Sequence, residues 1–377
     1  MIIFSKKFVL ILFIILFFDF IFSNLLFKKT AAWDMKINQK KTWRVASKDY
    51  HHDLLPMINV NEYWGNNQQS LITNSLGFRD ATNKIVEKKS KKRRILLVGD
   101  SFIEGLGYDY EFTLAGLLQN HYQERYEVLN SAVSSYSPSI YYFKIKHLID
   151  QGYVFNEILI FLDVSDIIDE NFLDLSSDGT FNVYEYSSSQ KSIFKKIFYK
   201  SGHIMRENFV IFRFLYKLSD LTEILKNFVK DKYRASISFN KSFFNIDDKD
   251  LNLYRMINVD RGNWTKNTYL SQDAKKGIAS SKKYLAKLAL LLKENNIEAN
   301  LIIYPWPAQI FYEDFHHQKL WFEFAKKNDL NFLNLYPEFD NKNKSLTIFN
   351  NFILGDVHWN KKGTMIVFNA LKKSGIF

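Results

Sequence analysis

Short apolar runs alternate with amphipathic segments in two parts of the chain. Runs rich in branched residues predict five strands, at residues 93–98, 126–129, 157–162, 299–304 and 331–335. Apolar residues at helical spacing predict five helices, at residues 113–122, 139–150, 280–294, 321–327 and 363–373. Strands that alternate with helices build a parallel sheet that is covered on both faces. The pattern therefore predicts an α/β fold whose ligand site lies at the carboxyl ends of the strands.

The N-terminal region contains an apolar run over residues 8–27, which follows Lys6 and Lys7. A run of about 20 residues has the length needed to cross a bilayer. Asp19 interrupts the run at a cost of about 2.5–3.5 kcal/mol, but each of the many Leu, Ile and Phe residues contributes about −0.3 to −0.6 kcal/mol. We therefore expect an uncleaved signal anchor, a single transmembrane helix, within residues 1–27. The alternative is a cleaved signal peptide, although its apolar core is usually only about 7–15 residues long.

The sequence also bears on the orientation of the apolar run and on the division of the chain into domains. Lysines flank both ends of the apolar run, so the charges do not fix its orientation. Single N-terminal anchors commonly hold their domain outside the cytoplasm, and we expect an extracytoplasmic or periplasmic domain. Residues 28–90 are expected to form a stalk and a domain edge, and residues 91–171 and 277–377 the main domain. Residues 172–276 break the strand–helix rhythm and are expected to form an inserted helical or irregular cap.

The composition of the chain excludes several kinds of site and partner. The chain of 377 residues contains no cysteine, which excludes disulfides, thiolate metal sites and a cysteine nucleophile. The formal net charge is +11, but the lysines are spread along the whole chain and no nucleic-acid-binding module stands out. We therefore expect no nucleic-acid partner. The oligomeric state does not follow from the sequence.

The strongest motif directly follows the first predicted strand, at Gly99, Asp100 and Ser101. A serine on a tight strand-to-helix turn exposes its hydroxyl at the edge of the sheet, and glycine allows such a turn to close. Asp and Ser are also good helix N-caps, so a capped helix start has the same residues. The motif predicts either a nucleophile or a simple helix start.

A second motif, Asp356 and His358, lies in a predicted loop before the last helix. A hydroxyl nucleophile needs a base, and the base needs a carboxylate that orients it. The alternatives are a surface pair without a role, or half of a metal site. A metal site needs three or four ligands, and the sequence does not assemble them, so no metal and no cofactor are expected. The two histidine pairs, His51–His52 and His316–His317, are expected to face solvent.

These motifs resemble those of the SGNH/GDSL hydrolase superfamily, over about residues 93–170 and 298–377. The chain is similar to membrane-anchored esterase or O-acyltransferase members. The resemblance implies a three-layer α/β/α flavodoxin-like parallel sheet. It also implies that Ser101 is the nucleophile, His358 the base and Asp356 the orienting carboxylate.

The same resemblance implies an oxyanion hole. Two middle blocks of the family correspond to residues 130–136 and 161–166. The glycine position of the first block is occupied by Ser135, and the asparagine position of the second by Ser165. The implied donors are therefore the N–H groups of Ser101 and Ser135 with the Ser165 hydroxyl. Ser165 is equally expected as a helix N-cap.

Four further residues are candidates for a supporting role. Arg79 lies in a segment, residues 74–80, that resembles one found upstream of the nucleophile in membrane-anchored relatives, and we expect it to be structural. The other three adjoin the family blocks: Asp100, Asn130 and Asp166.

The resemblance implies hydrolysis of short acyl esters, such as acetyl esters on carbohydrate, with an acylated small molecule or polysaccharide as the partner. One alternative is transfer of the acyl group to a sugar hydroxyl of an extracytoplasmic polysaccharide. The other is a degenerate domain that binds polysaccharide or a protein partner. The 35 Phe, 21 Tyr and 7 Trp residues allow sugar stacking, although large aromatics mostly fill cores.

Overall fold

The structure of the chain is a computed structural model that describes residues 6–26, 43–65, 67–173, 181, 205, 208–212, 214–215, 218, 248–266 and 270–377. The chain divides into two compact units. The smaller one comprises Met1–Lys41 and Ser187–Ile246, and the larger one comprises Thr42–Tyr186 and Asp247–Phe377. Most of the expected cap, residues 172–276, lies outside the described residues, so the cap stays a prediction.

Helix α1, Lys6–Ile21, lies in the smaller unit and is followed by a π-helical turn, Phe22–Leu26. Its apolar side chains are largely exposed, with Phe13 at 66%. Asp19 accepts a hydrogen bond from the backbone N–H of Ile211 at 3.2 Å. The structure does not support the transmembrane helix expected within residues 1–27, because no described helix is both long and apolar enough to cross a bilayer.

The larger unit is built on a five-stranded parallel sheet with the strand order β6-β5-β7-β8-β9. Its strands are β5 Arg93–Val98, β6 Tyr126–Asn130, β7 Glu157–Leu162, β8 Glu298–Ile303 and β9 Asn331–Asn334. This order is that of flavodoxin-like sheets. It confirms the predicted parallel α/β fold, and each strand lies within two residues of its predicted bounds.

Burial on both faces explains why these strands are continuous apolar runs. All six residues of β7 are buried, as are five of the six in β5. The register pairs Val98 with Ile160 and Leu162 with Ile303. The carboxyl ends of β5, β7 and β8 therefore meet at one edge of the sheet.

Helices cover both faces of the sheet. The right-handed β5–β6 and β6–β7 crossovers run in opposite directions, which places α3, Leu114–Tyr122, and α4, Pro138–Asp150, on opposite faces. Helix α4 packs against α7, Gln272–Glu294, and α3 packs against α11, Lys361–Lys373. The remaining helices of the larger unit are α2 Ser101–Glu104, α5 Asp166–Asp169, α6 Asp248–Ile257, α8 Pro307–Tyr312, α9 His316–Lys327 and α10 Lys344–Asn351, with short 3₁₀ helices at Tyr110–Phe112, Glu170–Phe172, Asp260–Lys266 and Tyr336–Phe339.

Capping residues explain where the helices begin. Thr113 accepts a hydrogen bond from Gly116 N–H and starts α3 one residue later than predicted. Pro138 is the first residue of α4, where its missing N–H costs nothing. Ser271 caps α7, which begins eight residues before its predicted start at residue 280, since the polar first turns carry little apolar signal.

Two antiparallel hairpins precede the sheet, within the segment 28–90 that the sequence pattern predicts to be a stalk and a domain edge. They pair β1, Arg44–Ser47, with β2, His51–Leu54, and β3, Asn59–Trp64, with β4, Asn67–Ile72. Their many polar residues hide the strand pattern. The described residues 43–90 belong to the larger unit.

Candidate active site

Ser101 lies where the main chain leaves β5 and enters α2. Asp100 accepts the Phe102 N–H at 3.0 Å and caps the helix. A side chain at Gly99 would place its Cβ 2.7 Å from Ile103 Cγ1, so the turn closes only with glycine. The motif is therefore a capped helix start that also presents a serine at the carboxyl edge of the sheet.

The loop between α10 and α11 brings in Asp356 and His358. The backbone N–H of Ile353 donates to His358 O at 2.8 Å. Asn360 caps α11, and its Nδ2 donates to Phe352 O at 3.1 Å. These bonds fix the base of the loop against the start of α11.

The two motifs meet across 257 sequence positions. His358 Nε2 lies 2.7 Å from Ser101 Oγ, and His358 Nδ1 lies 2.6 Å from Asp356 Oδ1. A carboxylate accepts only, so Nδ1 carries the proton towards Asp356, and Nε2 at 2.7 Å is the nearer of two acceptors for the Ser101 hydroxyl proton, the other being Asp100 Oδ2 at 3.1 Å. Hydroxyl, imidazole and carboxylate thus form a continuous proton relay.

The charges of this relay reinforce one another. Burial raises the pKa of Asp356, but the hydrogen bond and charge of His358 outweigh it and lower that pKa to about 2. Burial lowers the pKa of His358, and the hydrogen bond and charge of Asp356 reverse this, so the net shift is upward. Asp356 is therefore ionised at neutral pH and stabilises an imidazolium.

Two aromatic rings enclose the imidazole, and neither was predicted from the sequence. The Trp64 indole N–H donates to Asp356 Oδ2 at 2.9 Å, and its ring meets His358 edge-on at 5.0 Å. The Phe102 ring lies 4.6 Å from His358 on a second side. Trp64 comes from hairpin β3–β4, a contact across 292 positions that no local pattern reveals.

Two of the expected oxyanion donors are free to donate. Among the described residues, the backbone N–H groups of Ser101 and Ser135 have no acceptor. Ser135 has a φ of 65°, in the left-handed region that favours glycine. Ser135 as a residue is exposed.

Ser165, the third expected donor, is engaged differently. Its hydroxyl lies 2.6 Å from Asp163 Oδ1 and accepts a hydrogen bond from Arg261 Nη2 at 2.9 Å. In this arrangement the hydroxyl proton points to a carboxylate and not to a substrate. Helix α5 begins at Asp166 with Ser165 as its N-cap residue, but the Ser165 side chain makes no capping bond.

Buried carboxyl groups crowd the β7 side of the nucleophile. Oxygens of Asp100, Asp163 and Asp166 lie within 4.8 Å of one another. Burial, followed by the charge of Asp163, raises the pKa of Asp100 to about 7. Neutral donors bind the other two carboxyl groups: the Tyr141 hydroxyl donates to Asp166 at 2.9 Å, and the Trp306 indole N–H donates to Asp163 at 2.7 Å.

The remaining supporting candidates brace the nucleophile turn. Arg79 is buried and donates to the carbonyls of Glu104 at 3.0 Å and Tyr108 at 2.6 Å. Asn130 Nδ2 donates to Ile103 O at 2.7 Å. Within the described part of the chain, Arg79 therefore binds main-chain carbonyls and forms no salt bridge.

The expectation that the other histidine pairs face solvent is wrong for His317. This residue is fully buried, its Nδ1 lies 2.9 Å from the Tyr336 hydroxyl, and burial lowers its pKa to about 3. His52 is half-buried with Nε2 2.8 Å from Ser134 O. Among His52, His317 and His358, His358 is the one whose ring lies within hydrogen-bond distance of Ser101.

No family model matches the chain, and no curated protein matches its sequence. The solved structures similar to it include the psychrotrophic esterase EstA from Pseudoalteromonas sp., at 12% identity and a TM-score of 0.36, over 75% of this chain and 96% of that one. The acetyl xylan esterase AlAXEase is 12% identical with a TM-score of 0.39, over 75% of this chain and 100% of that one. A catalytic mutant of Axe2, an acetylxylan esterase from Geobacillus stearothermophilus, is 13% identical with a TM-score of 0.38, over 77% and 97%.

Similarities at these TM-scores carry no statement about the activity of this chain. The features to compare with known families are this chain's own: the glycine-closed turn that presents Ser101, the loop that presents Asp356 and His358, and the parallel sheet that joins them. In these features the chain is similar to the SGNH/GDSL hydrolase superfamily.

Proposed function

We propose that the chain is a serine esterase that hydrolyses short acyl esters, with acetyl esters on carbohydrate as the first substrates to test. The observation that carries the proposal is the relay from the Ser101 hydroxyl through His358 to Asp356, with distances of 2.7 and 2.6 Å. Both distances lie within hydrogen-bond reach, the geometric condition for a nucleophile and its base.

In the first half-reaction, Ser101 Oγ attacks the carbonyl carbon of the ester while His358 Nε2 takes the hydroxyl proton. The carbonyl oxygen becomes an oxyanion, for which we propose the Ser101 and Ser135 N–H groups as the donors. The C–O bond to the alcohol then breaks, and His358 returns the proton to the leaving oxygen. An acyl group remains on Ser101.

In the second half-reaction, a water molecule attacks the acyl group while His358 Nε2 takes one of its protons. The tetrahedral species collapses, the acid leaves, and the proton returns to Ser101 Oγ. Asp356 stays ionised throughout and stabilises the imidazolium in each half. If a sugar hydroxyl takes the place of water, the same sequence becomes acyl transfer.

The direct test is hydrolysis of p-nitrophenyl acetate by the purified full chain and by Ser101→Ala. We expect the substitution to lower kcat by about 10⁴-fold or more, because the nucleophile is lost while the fold is kept. Ser374→Ala is the matched control, since Ser374 is exposed at the end of α11. Equal activity of the Ser101→Ala and wild-type proteins would remove Ser101 from the mechanism.

A second arm adds a polysaccharide acceptor to the assay. Release of free acetate that does not depend on the acceptor supports hydrolysis. Acetate that appears on the acceptor, with no free acid, would replace the hydrolase assignment by a transferase. Binding of polysaccharide without Ser101-dependent turnover would favour the degenerate binding domain.

The location of the chain remains part of the proposal. We infer that α1 attaches the chain to a membrane and that the larger unit lies outside the cytoplasm. The exposed apolar side chains of α1 support the attachment. Fractionation of cells that express the full chain tests it. Recovery in the soluble fraction without detergent would contradict the attachment.

A further inference from the structure

One cation stands beside the carboxyl groups on the β7 side of the nucleophile. Arg261 Nη2 donates to Ser165 Oγ at 2.9 Å and also binds Asp169. Asp100, Asp163 and Asp166 all interact with its charge. Among the described residues, its Nε is buried without an acceptor, so the guanidinium keeps an unused donor.

The segment that carries Arg261 is fixed to the site. Arg261 is the second residue of the 3₁₀ helix Asp260–Lys266. The Trp264 indole N–H donates to Val164 O at 2.7 Å, one residue before Ser165 in sequence. Gln309 Nε2 donates to Thr265 Oγ1 at 2.8 Å from the loop side of β8.

Negative charge on these carboxyl groups disfavours an oxyanion beside Ser101, and the positive charge of Arg261 opposes that effect. An oxyanion that forms next to Ser101 lies beside several buried carboxyl groups at low local dielectric, where each group that is ionised repels it strongly. Asp100 itself lies 3.1 Å from Ser101 Oγ. The Ser165 hydroxyl, directed at Asp163, does not offset that charge.

We propose that Arg261 is a positioning residue of the oxyanion side, whose positive charge offsets the carboxyl groups of the β7 loop so that the oxyanion forms beside Ser101. The inference rests on the proposed function, because it assigns a role within the same reaction. The side chain is 42% exposed, which places the guanidinium at the boundary between the buried acids and solvent.

The test compares Arg261→Gln, which keeps hydrogen-bond donors and removes the charge, with Arg261→Lys, which keeps a charge. We expect Arg261→Gln to lose about 10²-fold in kcat with KM nearly unchanged, as for loss of transition-state stabilisation. Arg261→Lys should retain kcat to within about tenfold. Added guanidinium at low millimolar concentration should restore part of the kcat of Arg261→Ala.

Arg93→Gln is the matched control. Arg93 is 39% exposed and pairs with Glu157 and Glu298, but it begins β5 at the edge of the sheet opposite Ser101. We expect this variant to change the melting temperature at most, with kcat preserved. Melting curves of the Arg261 variants separate lost folding from lost catalysis.

The outcomes are distinguishable. If the wild-type chain shows no hydrolysis that depends on Ser101, the proposed function fails. If hydrolysis depends on Ser101 but Arg261→Gln keeps kcat, or loses only melting temperature as Arg93→Gln does, the role of Arg261 is overturned. If Arg261→Gln does not fold, a fall in the kcat of Arg261→Lys by more than about tenfold relative to wild type, or the absence of guanidinium rescue of Arg261→Ala, overturns the role of Arg261.

Discussion

His358 accepts a proton at Nε2 only while that atom is unprotonated, so its pKa sets the acid limb of activity. The Asp356 carboxylate raises this pKa above the ordinary 6.5 in spite of burial. A raised value means that the base is lost to protonation at a higher pH. We therefore expect kcat/KM to rise with pH through an apparent pKa above 6.5.

Asp356→Asn tests this account of the base. The amide cannot stabilise an imidazolium and does not fix the Nδ1–H tautomer, so kcat should fall by about 10⁴-fold. Without the carboxylate, burial dominates, and the apparent pKa of the residual activity should move downward. A pH–rate profile measures both effects, and an unchanged apparent pKa would show that Asp356 does not act on His358.

Ser135 gives a second prediction at the scale of one residue. Its φ of 65° costs a non-glycine residue about 1–2 kcal/mol, and the proposed donor is the backbone N–H, which glycine retains. We expect Ser135→Gly to raise the free energy of unfolding by about 1 kcal/mol and to keep kcat. Urea unfolding and the esterase assay measure the two quantities. Loss of kcat would mean that the Ser135 side chain takes part in the reaction.

Among the secondary-structure elements, α11 and α10 frame the loop that holds the base. Asn360→Ala removes the cap of α11 and the bond from Nδ2 to Phe352 O. A lost cap costs about 1 kcal/mol, and a small displacement of a catalytic group lowers the rate by up to about 10²-fold. We expect a stability loss together with a fall in kcat of about tenfold or more.

Asn343→Ala is the control for that prediction. Asn343 caps α10 by accepting the Leu346 N–H at 3.0 Å. Its loss should cost a similar free energy of unfolding but leave kcat unchanged, because the residue does not hold the loop of His358. Equal effects of the two substitutions on kcat would contradict a specific role for the α11 cap.

The elements that the sequence predicts best are those with strong local patterns. The sequence predicts the apolar strands β5 to β9 and the helices that begin at Leu114 and Pro138, because burial and capping leave local signatures. The polar hairpins were missed because their strands lack clear alternation. The transmembrane helix expected for the apolar N-terminal run found no support in the structure.

In the candidate site, too, local motifs predict some residues and miss others. Ser101, Asp356 and His358 belong to short motifs, but Trp64 reaches Asp356, and Arg261 reaches Ser165, only through folding. Both belong to segments without a local catalytic pattern, and their contacts span 292 and 96 positions. Sequence reasoning at this level finds residues that carry a motif and misses those that act through tertiary contact.

For the whole molecule, the buried acids couple stability to pH. The pKa of Asp100 is about 7 in the folded chain, raised by burial and then by Asp163. A raised pKa means that the folded state binds this proton more tightly, so its contribution is lost as pH rises from about 4 to about 7. His52 and His317, whose pKa values are lowered by burial, act in the opposite direction.

Asp100→Asn isolates this contribution. The amide keeps a cap for the Phe102 N–H and does not titrate. We expect the melting temperature of the variant to increase relative to wild type as pH rises from about 5 to about 8. A difference between the two melting temperatures that stays constant over this range would contradict the assigned pKa shift.

The central claim is that Ser101 is a nucleophile activated by His358, and covalent labelling tests it most directly. Full-length chain is treated with a fluorophosphonate and analysed by intact mass and peptide mapping, beside Ser101→Ala and His358→Ala. The account predicts one adduct per chain, on the peptide that contains Ser101, absent in Ser101→Ala and formed far more slowly in His358→Ala. An adduct on another residue, or labelling of Ser101 at the same rate without His358, would contradict it.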